Sequence, residues 1–346
     1  MKTSAVQGVT ASVRLRTPYL LFVGDAPSAP YAKTAFGIRD WAPDDCLGQM
    51  RLTGSAVDLG LPDMSPEFAA AAGAGSLVIG VAPVGGKIPP EWTSTLRRAL
   101  AAGLDVVSGM HTSLAEVDGL AEVASRTGSA LIDVRLPQHQ YPVATGRRRG
   151  GKRLLTVGTD CALGKKYTAL AVARALQERG VPATFRATGQ TGIMIAGSGI
   201  AMDAIVSDFV AGAAEALSPD APADHWDVIE GQGSLFHPSY AAVTLGLLHG
   251  SQPDELVLCH DPTRTHIKAL PDFPTPDLRV AADRYLEAAR LTNPDVRLAG
   301  VSLNTSGLDA EECERVLKET AERLDVPCFD PMKNALDGLL ARVLGA

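Results

Sequence analysis

The residues whose spacing carries the most chemistry lie in Leu154-Leu-Thr-Val-Gly-Thr-Asp-Cys-Ala-Leu-Gly-Lys-Lys-Tyr-Thr168. An apolar run enters a loop that opens at Gly158, closes on Gly164-Lys165-Lys166 and leads into a helical pattern. Such a loop aims successive backbone N–H groups at one point, the helix that follows adds the positive end of its dipole, and lysine adds a full charge. That is the chemistry of a phosphate grip, a P-loop. Gly158, Thr159, Asp160, Cys161, Ala162, Leu163, Gly164, Lys165, Lys166 and Tyr167 are therefore expected to hold a phosphorylated cofactor. The loop departs from the usual pattern twice. One extra residue lies between its glycines, and Lys166 stands where Ser or Thr normally ligates Mg²⁺. Two adjacent lysines could neutralise phosphates without a metal, which favours a phosphate group that is held and not cleaved. Thr168 is a candidate substitute hydroxyl, two positions too far along the helix. Cys161, beside two lysines and a helix N-terminus, could carry an acyl group, or be a passive small loop residue.

Further polar groups fall after the next apolar runs. Gln190 and Thr191 belong to a Gly-rich stretch, Arg186–Gly197, which offers uncharged hydrogen bonds or is an ordinary connection. Glu230 ends a buried run like a Walker B acid, able to bind Mg²⁺ or accept a proton, and His237 follows it. Both are candidate general bases, His237 because its ordinary pKa lies near neutrality, although a lone histidine is as readily structural. Arg264 sits in a cluster with His260, Asp261 and His266 and could clamp a substrate carboxylate. The spacing matches no metal site, so no metal is expected. In the first half Lys33, Lys87 and His111 follow apolar runs and are candidates for the substrate site; surface or turn roles compete.

The elements that must position these residues follow from alternation. In the first half, apolar runs at 19–24, 76–81, 105–109 and 130–134 alternate with helical patterns at 66–74, 91–102 and 113–126. This predicts right-handed crossovers, a parallel sheet and a Rossmann-like domain over residues 1–145. Residues 141–153, rich in Gly and Arg, read as the linker. Arg147–Arg149 are either a solvated charge run or a patch on a ligand phosphate near the loop. From 146 to 346, strands at 154–157, 183–187, 227–229, 255–259, 298–303 and 328–329 alternate with helices at 165–179, 201–217, 240–248, 278–291, 310–324 and 333–344. That is a doubly wound α/β domain. No GxGxxG with a following acid is present, so the first domain is not expected to bind a dinucleotide.

The 346 residues are 46% hydrophobic and 21% charged, enough for large cores, and the net charge of −7 argues against a nucleic-acid binder. Five cysteines without a CxxC pair, and no apolar run of spanning length, lead us to expect a cytoplasmic protein without membrane contact.

The loop Gly158-Thr-Asp-Cys-Ala-Leu-Gly-Lys is similar to that of dethiobiotin synthetase and its relatives, in which an asparagine at the position of Asn304 reads adenine. Ala32-Lys33-Thr34-Ala, the loop itself, Ala187-Thr-Gly-Gln-Thr-Gly, Glu230-Gly-Gln-Gly-Ser and Asp261-Pro-Thr-Arg together resemble a family long described as a domain of unknown function. The resemblance covers nearly the whole chain. It implies a Rossmann-like N-terminal and a P-loop C-terminal domain, and D-glutamate N-acetyltransferase activity in D-amino-acid catabolism. It also implies an enolase-superfamily N-acetyl-amino-acid racemase as pathway neighbour. Acetyl-CoA is then the expected co-substrate, its phosphates on Gly158–Lys166 and its adenine near Asn304. D-glutamate is expected against Arg264 or the first-domain residues Lys33 and His111, with Gln190 and Thr191. A Gly-rich loop would stabilise the oxyanion. The alternatives are a ligase or kinase that uses Mg-ATP, or a nucleotide-binding regulator without turnover. A homo-oligomer is the expectation for a soluble enzyme of this kind.

Overall fold

The computed structural model of the chain describes residues 15–81, 83, 86–136, 140–333 and 335–345. They form two compact units. One comprises residues 15–136 with Gln190–Ala204, the other residues 140–189 with 205–345. The chain thus leaves the P-loop unit at Gly189 and returns at Ile205, well beyond the boundary expected near residue 146.

The first unit is a parallel sheet of β1 (Tyr19–Gly24), β2 (Cys46–Arg51), β3 (Ser76–Ile79), β4 (Asp105–Ser108) and β5 (Leu131–Asp133), in the order β2-β1-β3-β4-β5. Its helices are α1 (Lys33–Trp41), α2 (Pro66–Ala71), α3 (Thr93–Ala101) and α4 (Leu120–Thr127). β1, β3 and β4 are buried along their whole length, which is why they read as continuous apolar runs. β2 does not read so. It is an edge strand, CLGQMR, and its buried Gln49 holds the next turn through Nε2 to Asp58 (2.8 Å) and Leu61 O (2.9 Å). α1 approaches the end of β3 so closely that a Cβ at Gly80 would lie 2.5 Å from that of Ala35.

The second unit is a parallel sheet of β6 (Lys152–Gly158), β7 (Ala183–Arg186), β8 (Trp226–Ile229), β9 (Glu255–His260), β12 (Arg297–Leu303) and β13 (Cys328–Phe329), in the order β13-β12-β9-β6-β8-β7. The segment after β9 carries an antiparallel pair, β10 (His266–Ile267) and β11 (Leu270–Pro274). Its helices are α5 (Lys165–Glu178), α7 (Val210–Leu217), α8 (Ala241–Ser251), α9 (Leu278–Arg290), α10 (Ala310–Leu324) and α11 (Asp337–Leu344). Asp309 and Glu312 cap α10 reciprocally, and Asp277 caps α9. The stretch expected to be a Gly-rich loop forms α6 (Gln190–Ala196), which belongs to the first unit. The α/β class with parallel sheets is as the alternation predicts.

The expected linker is a strap on the second unit. The N–H groups of Thr145 and Gly146 donate to Glu215, and Pro142 O lies against Gly212 of α7. Arg147 pairs with Asp220 and Arg148 with Asp254. Arg149 is buried and donates to Gly250 O (2.7 Å) and Ser251 O (3.0 Å). Burial, with Arg153 adding like charge, lowers its guanidinium to about 10. The run precedes β6, whereas the phosphate loop follows it, seven strand residues away. At roughly 3.3 Å per residue the two are separated by about 20 Å, so the run is not a patch on a phosphate in that loop. Among the described residues no helix is long and apolar enough to cross a membrane.

Candidate functional site

In the second unit β6 delivers Gly158 to the carboxyl end of the sheet, where open α/β sheets bind ligands. Asp160, fully buried, organises the loop. Its Oδ1 accepts from the N–H of Cys161 at 2.6 Å. Its Oδ2 accepts from Arg264 Nη1 and from the N–H of Lys268, each at 2.7 Å. Arg264 Nη1 also donates to Cys161 O at 2.8 Å. Arg264, read from sequence as a substrate clamp, is thus committed through this nitrogen to the loop. Thr159 Oγ1 lies 2.9 Å from His260 Nδ1. Burial, aided by the Arg264 charge and opposed by Asp261, lowers the His260 ring to about 4. Ala162 (φ 53°) and Gly164 (φ 106°) turn the chain through the left-handed region. For alanine that costs about 1–2 kcal/mol, a strain that tends to sit at functional turns.

Lys165 opens α5, is buried, and donates through Nζ to Asp160 O at 2.8 Å. Burial lowers its ammonium below the ordinary range, while Cys259, Cys161, Asp160 and Glu230 oppose the shift. A buried ammonium facing a carbonyl gains from an added anion. The first-turn N–H groups of α5, which have no acceptors within a helix, converge on the same loop. Lys166 Nζ lies 4.5 Å from the centre of the Tyr167 ring. Thr168 does not replace the missing Mg²⁺ hydroxyl: its Oγ1 donates to Gly164 O (3.1 Å) and shares a bond with buried Ser302 Oγ (2.8 Å). The donor set, lysines and backbone N–H groups, fits phosphate. Tyr285 of α9 was not legible as part of this site. Its buried hydroxyl donates to Gly158 O at 2.7 Å and accepts from the N–H of Leu235 at 3.1 Å, so it fixes the start of the loop.

Glu230 follows β8 and is buried. Its Oε2 accepts from the N–H groups of Thr188 (2.9 Å) and Gly189 (3.1 Å). Burial raises its carboxyl above the ordinary range against those bonds and both lysines. His237 is buried and its Nδ1 accepts from the N–H of Ser239 at 3.1 Å. The neutral ring therefore carries its proton on Nε2 and presents a donor. A ring nitrogen of His237, the Cys161 sulfur and an Asp160 oxygen lie within 4.8 Å of one another. Both Asp160 oxygens already accept hydrogen bonds. Asn304 accepts at Oδ1 from the N–H of Ser306 (3.2 Å).

The first unit gathers four other expected residues. Lys33 opens α1, and Thr34 Oγ1 beside it lies 2.9 Å from Thr191 Oγ1. Gln190 Oε1 accepts from Arg135 Nη2 at 3.0 Å, and Arg135 Nη1 lies 2.7 Å from His111 Nε2. Arg135, at the end of β5, is the member that sequence reading missed. Lys87 is exposed, and Val84 and Gly85 before it lie outside the described residues.

Residues 50–137 match a family model described as a Rossmann-like domain of unknown function (DUF1611_N), and residues 142–340 match one described as a P-loop domain of unknown function (DUF1611_C). A protein of Tritonibacter scottomollicae named D-glutamate N-acetyltransferase is 52% identical over 326 residues, covering 94% of this chain and 98% of that protein. One of Pseudoalteromonas sp, with the same name, is 43% identical over 331 residues, covering 96% and 100%. The crystal structure of a DUF1611 family protein from Anabaena variabilis is similar with a TM-score of 0.84 at 33% identity, covering 95% of this chain and 100% of that one. Loop, fold order and near-complete coverage agree, and the chain belongs to the DUF1611 family, a Rossmann-like domain followed by a P-loop domain.

Proposed function

We propose that this protein is an N-acetyltransferase that moves the acetyl group of acetyl-CoA to the amino group of D-glutamate or a similar D-amino acid. The observation that carries this reading is the 52% identity, over 94% of the chain, to a protein bearing that name. The loop supports it. Acetyl transfer leaves the phosphates of coenzyme A intact, so a grip with Lys166 in place of a Mg²⁺ hydroxyl is sufficient. The amine nitrogen attacks the thioester carbonyl carbon, the carbon–sulfur bond breaks, coenzyme A leaves as the thiol, and one proton of the ammonium is released.

The roles follow from chemical type and position. Gly158–Lys166 and Tyr167 take the donor's phosphates, and the Asn304 amide takes its adenine. The pantetheine arm separates pyrophosphate from thioester, so side chains touching the loop stand at the donor's phosphate end. That favours phosphate contact for His237, a donor at Nε2, over the role of base. It favours for Glu230 the holding of the Thr188–Gly189 turn. Lys33, His111, Gln190 and Thr191 serve the amino acid. The free cysteines suit a reducing cytoplasm, and a symmetric homo-oligomer is the common state of such enzymes. An enolase-superfamily racemase is the neighbour that would take the N-acetylated product.

A second reading, a Mg-ATP-dependent ligase or kinase, is favoured by the buried acid Glu230 and opposed by Lys166. Calorimetric titration with acetyl-CoA, and separately with ATP and Mg²⁺, decides between them, with product identified by mass. Acetyl-CoA binding that needs no Mg²⁺ and is lost in Lys165→Ala is the expected result. Binding of Mg-ATP alone, with ADP release, would overturn the transferase.

A further inference from the structure

Arg135 is held from several sides within the first unit. Its Nη1 faces His111 Nε2 at 2.7 Å, its Nη2 donates to Gln190 Oε1 at 3.0 Å, and the same nitrogen lies 3.0 Å from Asp203 Oδ2 in an ion pair. Of the five N–H donors of a guanidinium, the bonds to His111 and Gln190 engage two. Nε is buried, with no hydrogen-bond partner among the described residues. The side chain is 18% exposed, so the group is neither a solvated surface charge nor a sealed core one. The surroundings are shaped to admit its partners. Gly86 has φ 62°, and a Cβ there would lie 2.5 Å from His111 Cδ2. A Cβ at Gly109 would lie 2.8 Å from Gln190 Cγ. A side chain at either position would push one of these partners aside. The members follow β4 and β5 and open α6, and Thr191 continues the hydrogen-bonded chain to Thr34 at the start of α1.

We propose that Arg135, braced by His111 and Gln190, binds a carboxylate of the amino-acid substrate; the assignment rests on the acetyltransferase reading. A planar guanidinium with fixed partners matches a carboxylate better than any other group of an acidic amino acid. Asp203 is its one acidic partner among the contacts above. That carboxylate is 36% exposed, so water screens the pair and a ligand carboxylate can share or displace it. Gln190 and His111 bring no negative charge and orient the fork without cancelling its charge. This also accounts for a largely buried arginine just beyond a strand, where a surface salt bridge alone would need no such bracing.

The test is steady-state kinetics and calorimetry on the full chain with Arg135→Gln and Arg135→Lys. Arg135→Gln is expected to raise KM for D-glutamate on the order of 100-fold, the loss of charge-assisted bonds. Its affinity for acetyl-CoA and its melting temperature stay at the wild-type values, and Arg135→Lys recovers part of the loss. If the side-chain carboxylate is the one bound, Arg135→Gln also loses the preference for D-glutamate over D-glutamine. If it is the α-carboxylate, both amino acids weaken together. An unchanged KM, or acetyl-CoA affinity and melting temperature falling with it, would overturn the proposal. Wild-type protein that binds D-glutamate through Arg135 but forms no N-acetyl product would remove the transferase reading and keep the site. Wild-type turnover with an unimpaired Arg135→Gln would do the reverse.

Discussion

Arg264 can be a clamp for substrate or a latch for the loop, and its pairing with Asp160 makes the two separable by a double-mutant cycle. Asp160 is fully buried and Arg264 is one-fifth exposed. In Asp160→Asn one carboxylate oxygen becomes an amide nitrogen. The donors that met the carboxylate, the Cys161 and Lys268 N–H groups and Arg264 Nη1, must then share a single oxygen. Removing one partner of a fully buried pair costs about 3–5 kcal/mol. With Arg264 partly in water, about 2–4 kcal/mol is expected. Arg264→Met leaves Asp160 its two backbone donors, so about 1–3 kcal/mol is expected. Because both changes break the same contact, the double variant should fall short of additivity by about 1–3 kcal/mol. The loop N–H groups lose their aim in each case, so acetyl-CoA affinity falls with stability. The assay is hydrogen exchange of the α5 amides across the four proteins, with calorimetry for acetyl-CoA and KM for D-glutamate. Two results would refute the reasoning. One is additivity within about 0.5 kcal/mol. The other is an Arg264→Met protein of wild-type stability and acetyl-CoA affinity whose KM for D-glutamate alone rises, since that describes a clamp.

The parallel sheets and the phosphate loop were legible because they rest on local pattern. Strands buried on both faces are apolar runs, and a loop between Gly158 and Lys165 that opens an apolar-periodic helix has few other uses. What escaped reading rests on contacts far apart in sequence. β2 is an edge strand whose Gln49 is buried for the sake of a turn, so it lacks the apolar signature. Tyr285 reaches Gly158 across 127 residues from a helix whose pattern says only that it is buried. Gln190–Ala204 reads as part of the second domain because it follows β7, and only tertiary contacts assign it to the first unit. Arg135 stands beside no motif; Gly86, His111 and Gln190 acquire meaning around it only once β4, β5 and α6 are assembled. The charge run Arg147–Arg149 divides: Arg147 and Arg148 are exposed and ion-paired, as a solvated run would be, Arg149 is buried, and the alternative of a phosphate contact is one that the direction of β6 forbids.

Gly212→Ala should reverse the usual helix preference. Alanine in a helix interior is ordinarily better than glycine by about 1 kcal/mol, yet a Cβ here would meet Pro142 O at 1.8 Å. A net loss of about 2–4 kcal/mol is expected, read as a lower urea midpoint and faster proteolysis at 141–146; a protein as stable as wild type would mean that the strap is not packed on α7. The acid side of the stability curve carries a contribution from His260. Its ring is lowered to about 4 in the folded chain, mainly by burial, against about 6.5 when unfolded. A depressed value means that the unfolded state takes up the proton first. The stabilisation is therefore complete above about pH 6.5, declines as pH falls, and levels off below about pH 4. At about 1.4 kcal/mol per unit the full loss is about 3–4 kcal/mol. Carboxylates add their own slope lower down, so the clean window is about pH 6.5 to 5. Urea midpoints across that window should fall in the wild type and stay nearly level in His260→Gln, which keeps a polar partner for Thr159 and removes the titration. Parallel slopes in the two proteins would mean that the folded ring takes up its proton as readily as the unfolded one, and that Thr159 does not depend on a neutral His260 to hold its place in the phosphate loop.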